Sequence, residues 1–289
     1  MSRPTGCGVL CYAHQAEGVF LLLGKERETP GWPQGSNKWS AFTGKIEHGE
    51  SLAAGAAREF LEESCASVAL DGSDVAPRVA DVVEILETLD VVDRVIETPH
   101  ETALHRTYLL PLPFAPYPES FASRRRALMD LDLILGRYYL LRKSSTRVPR
   151  LFLPGFEAGD LVVTHFSLSD GDVVTELRSD VERVHLRFAA SAAVAADVAA
   201  LRVAWDEAIA CLDEDNPLLA HPAVYVQRRH GAIVSAHVDK AFLEKCELAW
   251  WPLNEVRRLV AEGEAQDFRE GFIEILAKAR LGERAYPTQ

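Results

Sequence analysis

Two runs near the start of the chain, "CGVLCYA" and "GVFLLLGKE", gather apolar residues over strand-length windows and are separated by a turn around "HQAEG". They predict two β-strands. The stretch "ETPGWPQGSNK" is rich in Gly, Pro and polar residues and reads as a loop, with "WSAFTGK" after it as a third, short strand. A helix is expected from about Ser51 to Ser64, with Ser51 placed to cap its first turn. "DVVEILETL", "DRVIE" and "HRTYLLPLPF" read as further strands. Beyond Pro116 the texture changes. "ESFASRRRALMDLDLILGRYYLLRK" has helical spacing, and "RFAASAAVAADVAALRVAWDEAIACL" reads as a long alanine-rich helix ending at "DEDNP". Strand-like "GDLVVTHFSL" lies between them. The tail returns to a strand at "CELAWWPL", then to helices at "NEVRRLVAEG" and "DFREGFIEILAKARL".

This order of elements predicts an α/β fold built from both ends of the chain. Residues 1–115 supply the first part of the core, 116–239 a helix-rich insertion, and 240–289 a closing strand and C-terminal helices. No internal repeat and no low-complexity linker interrupts this order. A chain of 289 residues with 48% hydrophobic and 26% charged content is able to bury a sizeable core. Its formal charge of -12, from 43 acidic and 31 basic residues, argues against a surface that coats long nucleic acid. It leaves room for a small anion held through a metal. No run reaches the ~20 apolar residues of a membrane helix, and "MSRPTGCGVLCYAHQ" lacks the build of a signal peptide. Cys7, Cys11, Cys65, Cys211 and Cys246 show no metal-type spacing beyond a loose Cys7-x3-Cys11, which on a strand puts both thiols on one face. Plain thiols in a reducing cytoplasm are the expectation.

The stretch "GKIEHGESLAAGAAREFLEESCA" changes the picture. Taking Glu59 as origin at about 100° per residue, Glu63 falls at about 40°, Glu62 at about 300° and Gly55 at about 320°. Three carboxylates therefore line one stripe, with Gly55 one turn below. Phe60, Ala53, Ala57, Leu61 and Ala54 form the opposite, buried face. Arg58 flanks the stripe within reach of Glu50. Clustered carboxylates repel one another unless a cation sits among them, and a hard divalent ion with oxygen ligands meets that need. A solvated acidic face is the plainer alternative, and the spacing weighs against it.

That spacing, Gly44-x5-Glu50-x7-Arg58-Glu59-Phe60-x-Glu62-Glu63, resembles the box of the Nudix hydrolase family, here spanning Gly44–Ala66. One letter departs from the family's pattern, Cys65 standing where a helix-ending Gly is usual. The resemblance implies an α/β/α sandwich around a mixed sheet. It further implies Mg²⁺, with Mn²⁺ able to substitute, held by Glu59, Glu62, Glu63 and the Gly44 carbonyl, and Arg58 organising the site with Glu50. The implied reaction is hydrolysis of a phosphoanhydride in a nucleoside diphosphate linked to another group, with water as nucleophile. Glu62, Glu59, Glu87 and Glu101 all stand as candidates for the base. "LLLGKE", "KWSAFTGK" and "REFLEES" are similar to the sub-group acting on purine nucleoside triphosphates. That similarity points to Trp39, Ser40, Phe42, Lys45 and Asp267 as substrate-binding residues. It covers roughly Gly6–Phe114 and Cys246–Leu281.

Weaker signals remain. Trp32 reads as a loop anchor rather than a base-stacking platform, and Trp250 and Trp251 as packing at a strand end. Arg124, Arg125 and Arg126, with Arg137, Arg142 and Lys143, read as a solvated helix side. The sharper alternative has them grip phosphates of a longer substrate such as an RNA cap. His48 lies in the box loop. The leading reading is a pyrophosphohydrolase acting on a nucleotide. The alternatives are decapping of RNA and a Nudix module that binds a nucleotide or partner without cleaving it. The insertion is also of a size to supply a lid or a homodimer interface.

Overall fold

The structure, a computed structural model, describes residues 4–72, 75–91, 94–100, 103–144, 161–162, 172–178, 183–189, 207, 210–213, 215–229 and 232–281. By its internal contacts the chain divides into two compact units, residues 1–126 with 240–289, and residues 127–239.

In the first unit, strands β1 (Pro4–Gln15) and β2 (Gly18–Glu26) form an antiparallel pair in which Cys11 faces Leu22 and Gln15 faces Gly18. Short strands β3 (Trp39–Ser40) and β4 (Phe42–Lys45) pair with β2 and β1 respectively, with the chain breaking register at Ala41. Helix α1 (Leu52–Glu63) follows the box loop, and α2 (Val79–Val91) packs beside it. Strands β5 (Val95–His100) and β6 (Ala103–Pro111) are antiparallel, and β6 runs parallel to β1. Helix α3 (Tyr117–Ser144) contains the unit boundary at residue 126.

The second unit holds β7 (Leu161–Val162), β8 (Asp172–Arg178) and β9 (Arg183–Ala189), an antiparallel sheet in the order β7-β9-β8. It also holds the hairpin β10 (Val224–Arg229) and β11 (Ala232–Val238). The chain then returns to the first unit as β12 (Lys245–Pro252), α4 (Leu253–Glu262) and α5 (Glu270–Lys278). The main sheet is mixed, in the order β12-β2-β1-β6-β5.

Period-two alternation sorts the strand side chains onto two faces. Leu10, Tyr12, Leu21 and Leu23 point toward Leu253, Val256, Phe272 and Ile275 of the C-terminal helices. Cys7 points the other way, toward α1, where a side chain at Gly55 would begin 2.8 Å from its sulfur. Phe42 packs edge-on to Phe60 of α1 at 5.5 Å on that face. Burying Phe60 completely contributes about 2–3 kcal/mol. Helices on both faces of a mixed sheet make the α/β/α sandwich that the box resemblance implies. Gly8 permits the β1–β4 approach, because a Cβ there would lie 2.4 Å from the Phe42 carbonyl oxygen. Among the described residues no helix is long and apolar enough to cross a membrane.

Two expectations are corrected. "DVVEILETL" is helical, not a strand: Val82, Leu86 and Leu89 are buried at helical spacing while Glu84, Glu87 and Thr88 face outward. Asp81 caps that helix start by accepting from the Arg78 N–H at 3.2 Å. Arg187–Ala189 belong to β9 rather than to a helix, since Phe188 pairs with Val173 and Arg187 with Val174. The stretch 190–206 of that expected helix lies outside the described residues, as do 163–168 of "GDLVVTHFSL".

Candidate active site

The box loop leaves β4 at Lys45 and is fixed by one local bond, the Glu50 N–H to the Glu47 carbonyl at 3.2 Å, and one to β1, the Ile46 N–H to the Thr5 carbonyl at 3.3 Å. Ser51 caps α1, its Oγ accepting from the Ala54 N–H at 3.1 Å. At the other end Cys65 and Ala66 have φ of 51° and 46°, the left-handed region. The Ala66 N–H reaches the Leu61 carbonyl at 2.7 Å and the Cys65 N–H the Glu62 carbonyl at 3.1 Å. These two bonds are those of a Schellman cap, formed here without its usual glycine. The buried Cys65 thiol donates to the Phe242 carbonyl, and burial pushes its pKa up to about 12.

Arg58 is the hub of the site. Its Nε and Nη2 donate to the two oxygens of Glu50 at 2.9 and 3.2 Å. Its Nη1 donates to Glu59 at 2.8 Å and to Glu62 at 2.9 Å, and Nη2 also reaches the Lys45 carbonyl at 2.8 Å. One guanidinium thus gathers three carboxylates and the loop backbone. Hydrogen bonding to Arg58 holds Glu50 below the usual carboxylate range, against a smaller push from burial. Burial raises Glu59, with Arg58 opposing and the charges of Glu244 and Glu50 adding to the rise. Gly44 lies against Glu59 so closely that a Cβ there would sit 2.1 Å from the carboxyl.

Glu63 is held elsewhere. Its Oε2 accepts the Thr43 N–H at 2.7 Å, and its Oε1 lies 3.1 Å from Lys245 Nζ. Lys245, fully buried at the head of β12, also donates to Glu26 at 2.5 Å and to Ser40 Oγ at 2.7 Å. Arg269 reaches the same Glu26 oxygen at 2.9 Å and lies over the Trp32 ring at 5.1 Å. Burial drives the Glu63 carboxyl above its usual range, with Lys245 opposing.

A cleft of about 580 Å³ opens beside the box, lined by Ser40, Thr43, Lys45, His105, Arg269 and Phe272 among others. Gly44 borders it as well. Of the residues expected to bind substrate, Ser40 and Lys45 line this cleft. Trp39 is buried edge-on against Trp251, Phe42 faces α1, and exposed Asp267 contributes its carbonyl to the Trp39 N–H at 2.7 Å. Glu87 is exposed on α2, and Glu101 lies outside the described residues. His48 is exposed in the box loop. Arg124 and Arg125 are partly buried and donate to the Ala66 and Lys245 carbonyls at 2.5 and 2.7 Å, unlike the solvated side expected of the run, whereas Arg126 is exposed. Trp250 Nε1 donates to the Ala115 carbonyl, and the Trp32 carbonyl accepts from Ser36 within its loop.

Sequence reasoning missed Lys245, Glu26, Arg269 and Glu244. The available signal was a lysine at the head of an apolar strand, which the Lys245–Glu26 register makes legible only once β2 and β12 are paired. Among the described residues no three His, Cys, Asp or Glu side chains are already gathered as a metal centre. Glu59 and Glu62 converge on one guanidinium nitrogen of Arg58, and the Glu59 carboxyl lies against Gly44. Hard carboxylate and carbonyl oxygens are what Mg²⁺ or Mn²⁺ takes.

Comparison with known proteins bears on the same stretch. Residues 3–107 match the family model described as NUDIX domain. No curated protein matches the chain. A Caenorhabditis elegans Ap4A hydrolase binary complex is 13% identical, with 38% of this chain and 69% of that one covered, at a TM-score of 0.21. A bifunctional NMN adenylyltransferase/ADP ribose pyrophosphatase from Francisella tularensis, complexed with AMP and a manganese ion, is 15% identical. There the coverage is 39% and 28% and the TM-score 0.23. Shewanella oneidensis NrtR complexed with a 27mer DNA is 10% identical, with coverage of 85% and 99% and a TM-score of 0.24. Residues 3–107 of this chain, with the box beginning at Gly44 and running through α1, are a NUDIX domain.

Proposed function

We propose that the chain is a divalent-metal-dependent pyrophosphohydrolase that cleaves a phosphoanhydride in a nucleoside polyphosphate or in a nucleoside diphosphate linked to another group. The observation that carries this reading is the Arg58 hub, which gathers Glu50, Glu59 and Glu62 and leaves the Glu59 carboxyl against Gly44, a residue that lines the cleft. Glu59, Glu62 and the Gly44 carbonyl are the donors for Mg²⁺ or Mn²⁺. The ion, when bound, neutralises phosphate oxygens and makes its water a better nucleophile. Arg58 fixes the orientation of the Glu59 and Glu62 carboxylates. Lys45 and Arg269 both line the cleft, and their positive charge suits an anionic substrate. With Arg124 and Arg125 committed to backbone carbonyls, the basic-patch argument for a capped RNA loses its support.

A second reading, nucleotide binding without cleavage, is favoured by one observation: Glu50, Glu59, Glu62 and Glu63 are all paired internally with Arg58 or Lys245. Phosphate release from a panel of nucleoside triphosphates, nucleotide sugars, dinucleotides and cap analogues separates the two. Turnover that needs Mg²⁺ or Mn²⁺ and is lost in Glu59→Gln establishes the hydrolase. Silence across the panel, with nucleotide binding retained, establishes the binding module.

A further inference from the structure

We propose that Lys245 is an internal counter-ion that keeps metal away from Glu63, so that this box binds its divalent ion through Glu59 and Glu62 alone among its helix carboxylates. The inference rests on the metal-dependent reading above for the presence of an ion, but not for the role of Lys245. An ammonium has three N–H donors. Those of Lys245 are matched by Glu26, Glu63 and Ser40, at 2.5, 3.1 and 2.7 Å. Ser40 hands its own proton to Glu26 at 3.1 Å, and Arg269 completes the set at 2.9 Å. Two acidic and two basic side chains therefore close a network in which both Glu63 oxygens are engaged, one of them by the Thr43 backbone.

Burial makes this arrangement exclusive. Lys245 is fully buried, and the side chains of Glu63 and Glu26 are only 4% and 6% exposed. Mg²⁺ gives up its waters reluctantly and seeks octahedral oxygen coordination, which a sealed, ammonium-filled pocket does not supply. A second positive ion on the Glu63 carboxylate would also face the Lys245 charge across little dielectric. Glu59 and Glu62, at 12% and 15% exposure, are less sealed, and they share their cation, Arg58, at one edge of its fork. Lys245 is in this sense a positioning residue, acting through Glu63.

The test is Mn²⁺ titration, followed by electron paramagnetic resonance, on the full chain and on Glu59→Gln, Glu63→Gln and Lys245→Met. Glu59→Gln is expected to weaken Mn²⁺ by about tenfold or more, and Glu63→Gln by less than about threefold. Lys245→Met, which leaves Glu26 and Glu63 short of one cation, is expected to show a larger Mn²⁺-dependent rise in Tm than the parent chain. A tenfold loss of Mn²⁺ affinity in Glu63→Gln overturns the proposal. Should either variant fail to fold, manganese anomalous scattering from crystals of the parent chain decides it: an ion bonded to Glu63 overturns it, and an ion on Glu59 and Glu62 sustains it. If the parent chain binds no Mn²⁺ but Lys245→Met does, the exclusion by Lys245 stands, while the Glu59–Glu62 binding and the metal-dependent hydrolase reading both fall. If neither binds, the exclusion by Lys245 is wrong.

Discussion

Arg58 and Glu50 are joined by two hydrogen bonds, Nε to Oε1 at 2.9 Å and Nη2 to Oε2 at 3.2 Å, which tie the middle of α1 to the loop that precedes it. The same Glu50 oxygen, Oε2, accepts the Glu47 N–H at 2.9 Å, so the pair sets the shape of the loop as well as its charge.

Replacing Arg58 with Met is expected to lower stability by about 2–3 kcal/mol at neutral pH, because three partly buried carboxylates lose their shared cation. The effect has a pH signature. Arg58 depresses the Glu50 pKa in the folded state, so the stabilisation is complete above the ordinary value of 4.5 and is lost as pH falls through the depressed one. Urea midpoints for the parent and Arg58→Met should therefore converge as pH drops below about 4. A gap that stays constant between neutral and acid pH would sink this account.

Cys65 tests the cap. A non-glycine residue at φ 51° carries strain of about 1–2 kcal/mol, which glycine removes. The thiol meanwhile fills buried space and donates to the Phe242 carbonyl, so Cys65→Gly should land within about 1 kcal/mol of the parent as the two effects offset. Cys65→Val keeps the bulk, loses the donor and adds a β-branch in the left-handed region, and should cost about 3 kcal/mol. Denaturant midpoints distinguish them, and a Val variant as stable as the Gly variant would show that the backbone there is unstrained.

How far the sequence carried the fold depended on whether its information was local. The Ser51 cap, the apolar side of α1 and the alternation in β1 and β2 are set by neighbours a few residues apart, and the structure has them where the pattern puts them. "DVVEILETL" misled because adjacent β-branched residues imitate a strand, while its helix depends on Val82, Leu86 and Leu89 finding a shared burial site. The Arg58 hub was legible because its partners lie within one motif. The Lys245 network was not, since Lys245 and Glu26 are 219 residues apart and nothing local marks either as buried. Trp39 and Phe42 were read as pocket residues from their place beside the box, and strand alternation instead turned both into packing.

The arginine run divides by contact rather than by charge. Arg124 and Arg125 each donate to a backbone carbonyl in the partly buried junction between the start of α3, the end of α1 and β12, whereas Arg126 is exposed. Arg124→Ala and Arg125→Ala should each cost about 1–2 kcal/mol by leaving a carbonyl short of its partner. Arg126→Ala should stay within about 0.5 kcal/mol of the parent. Thermal unfolding of the three single variants checks this, and equal effects at all three would favour a general charge contribution.

Gly44 and Gly8 both sit where a side chain has no room, yet the two obstacles differ in kind. At Gly44 the added Cβ would meet the Glu59 carboxyl at 2.1 Å, the far end of a flexible side chain. At Gly8 it would meet the Phe42 carbonyl oxygen at 2.4 Å and the Thr43 Cα at 2.8 Å, both fixed by the β1–β4 ladder. Gly44→Ala should therefore fold with a loss of about 1 kcal/mol or less while moving Glu59 off its position. Activity, where the panel finds it, should fall by about a hundredfold or more, as expected when a reacting group is displaced by ~1 Å. Gly8→Ala should lose about 3 kcal/mol, because the sheet itself must part. The comparison separates a glycine kept for the site from one kept for the fold. A Gly44→Ala protein that unfolds as readily as Gly8→Ala would place Gly44 in the second class and remove Glu59's seat from the argument for catalysis.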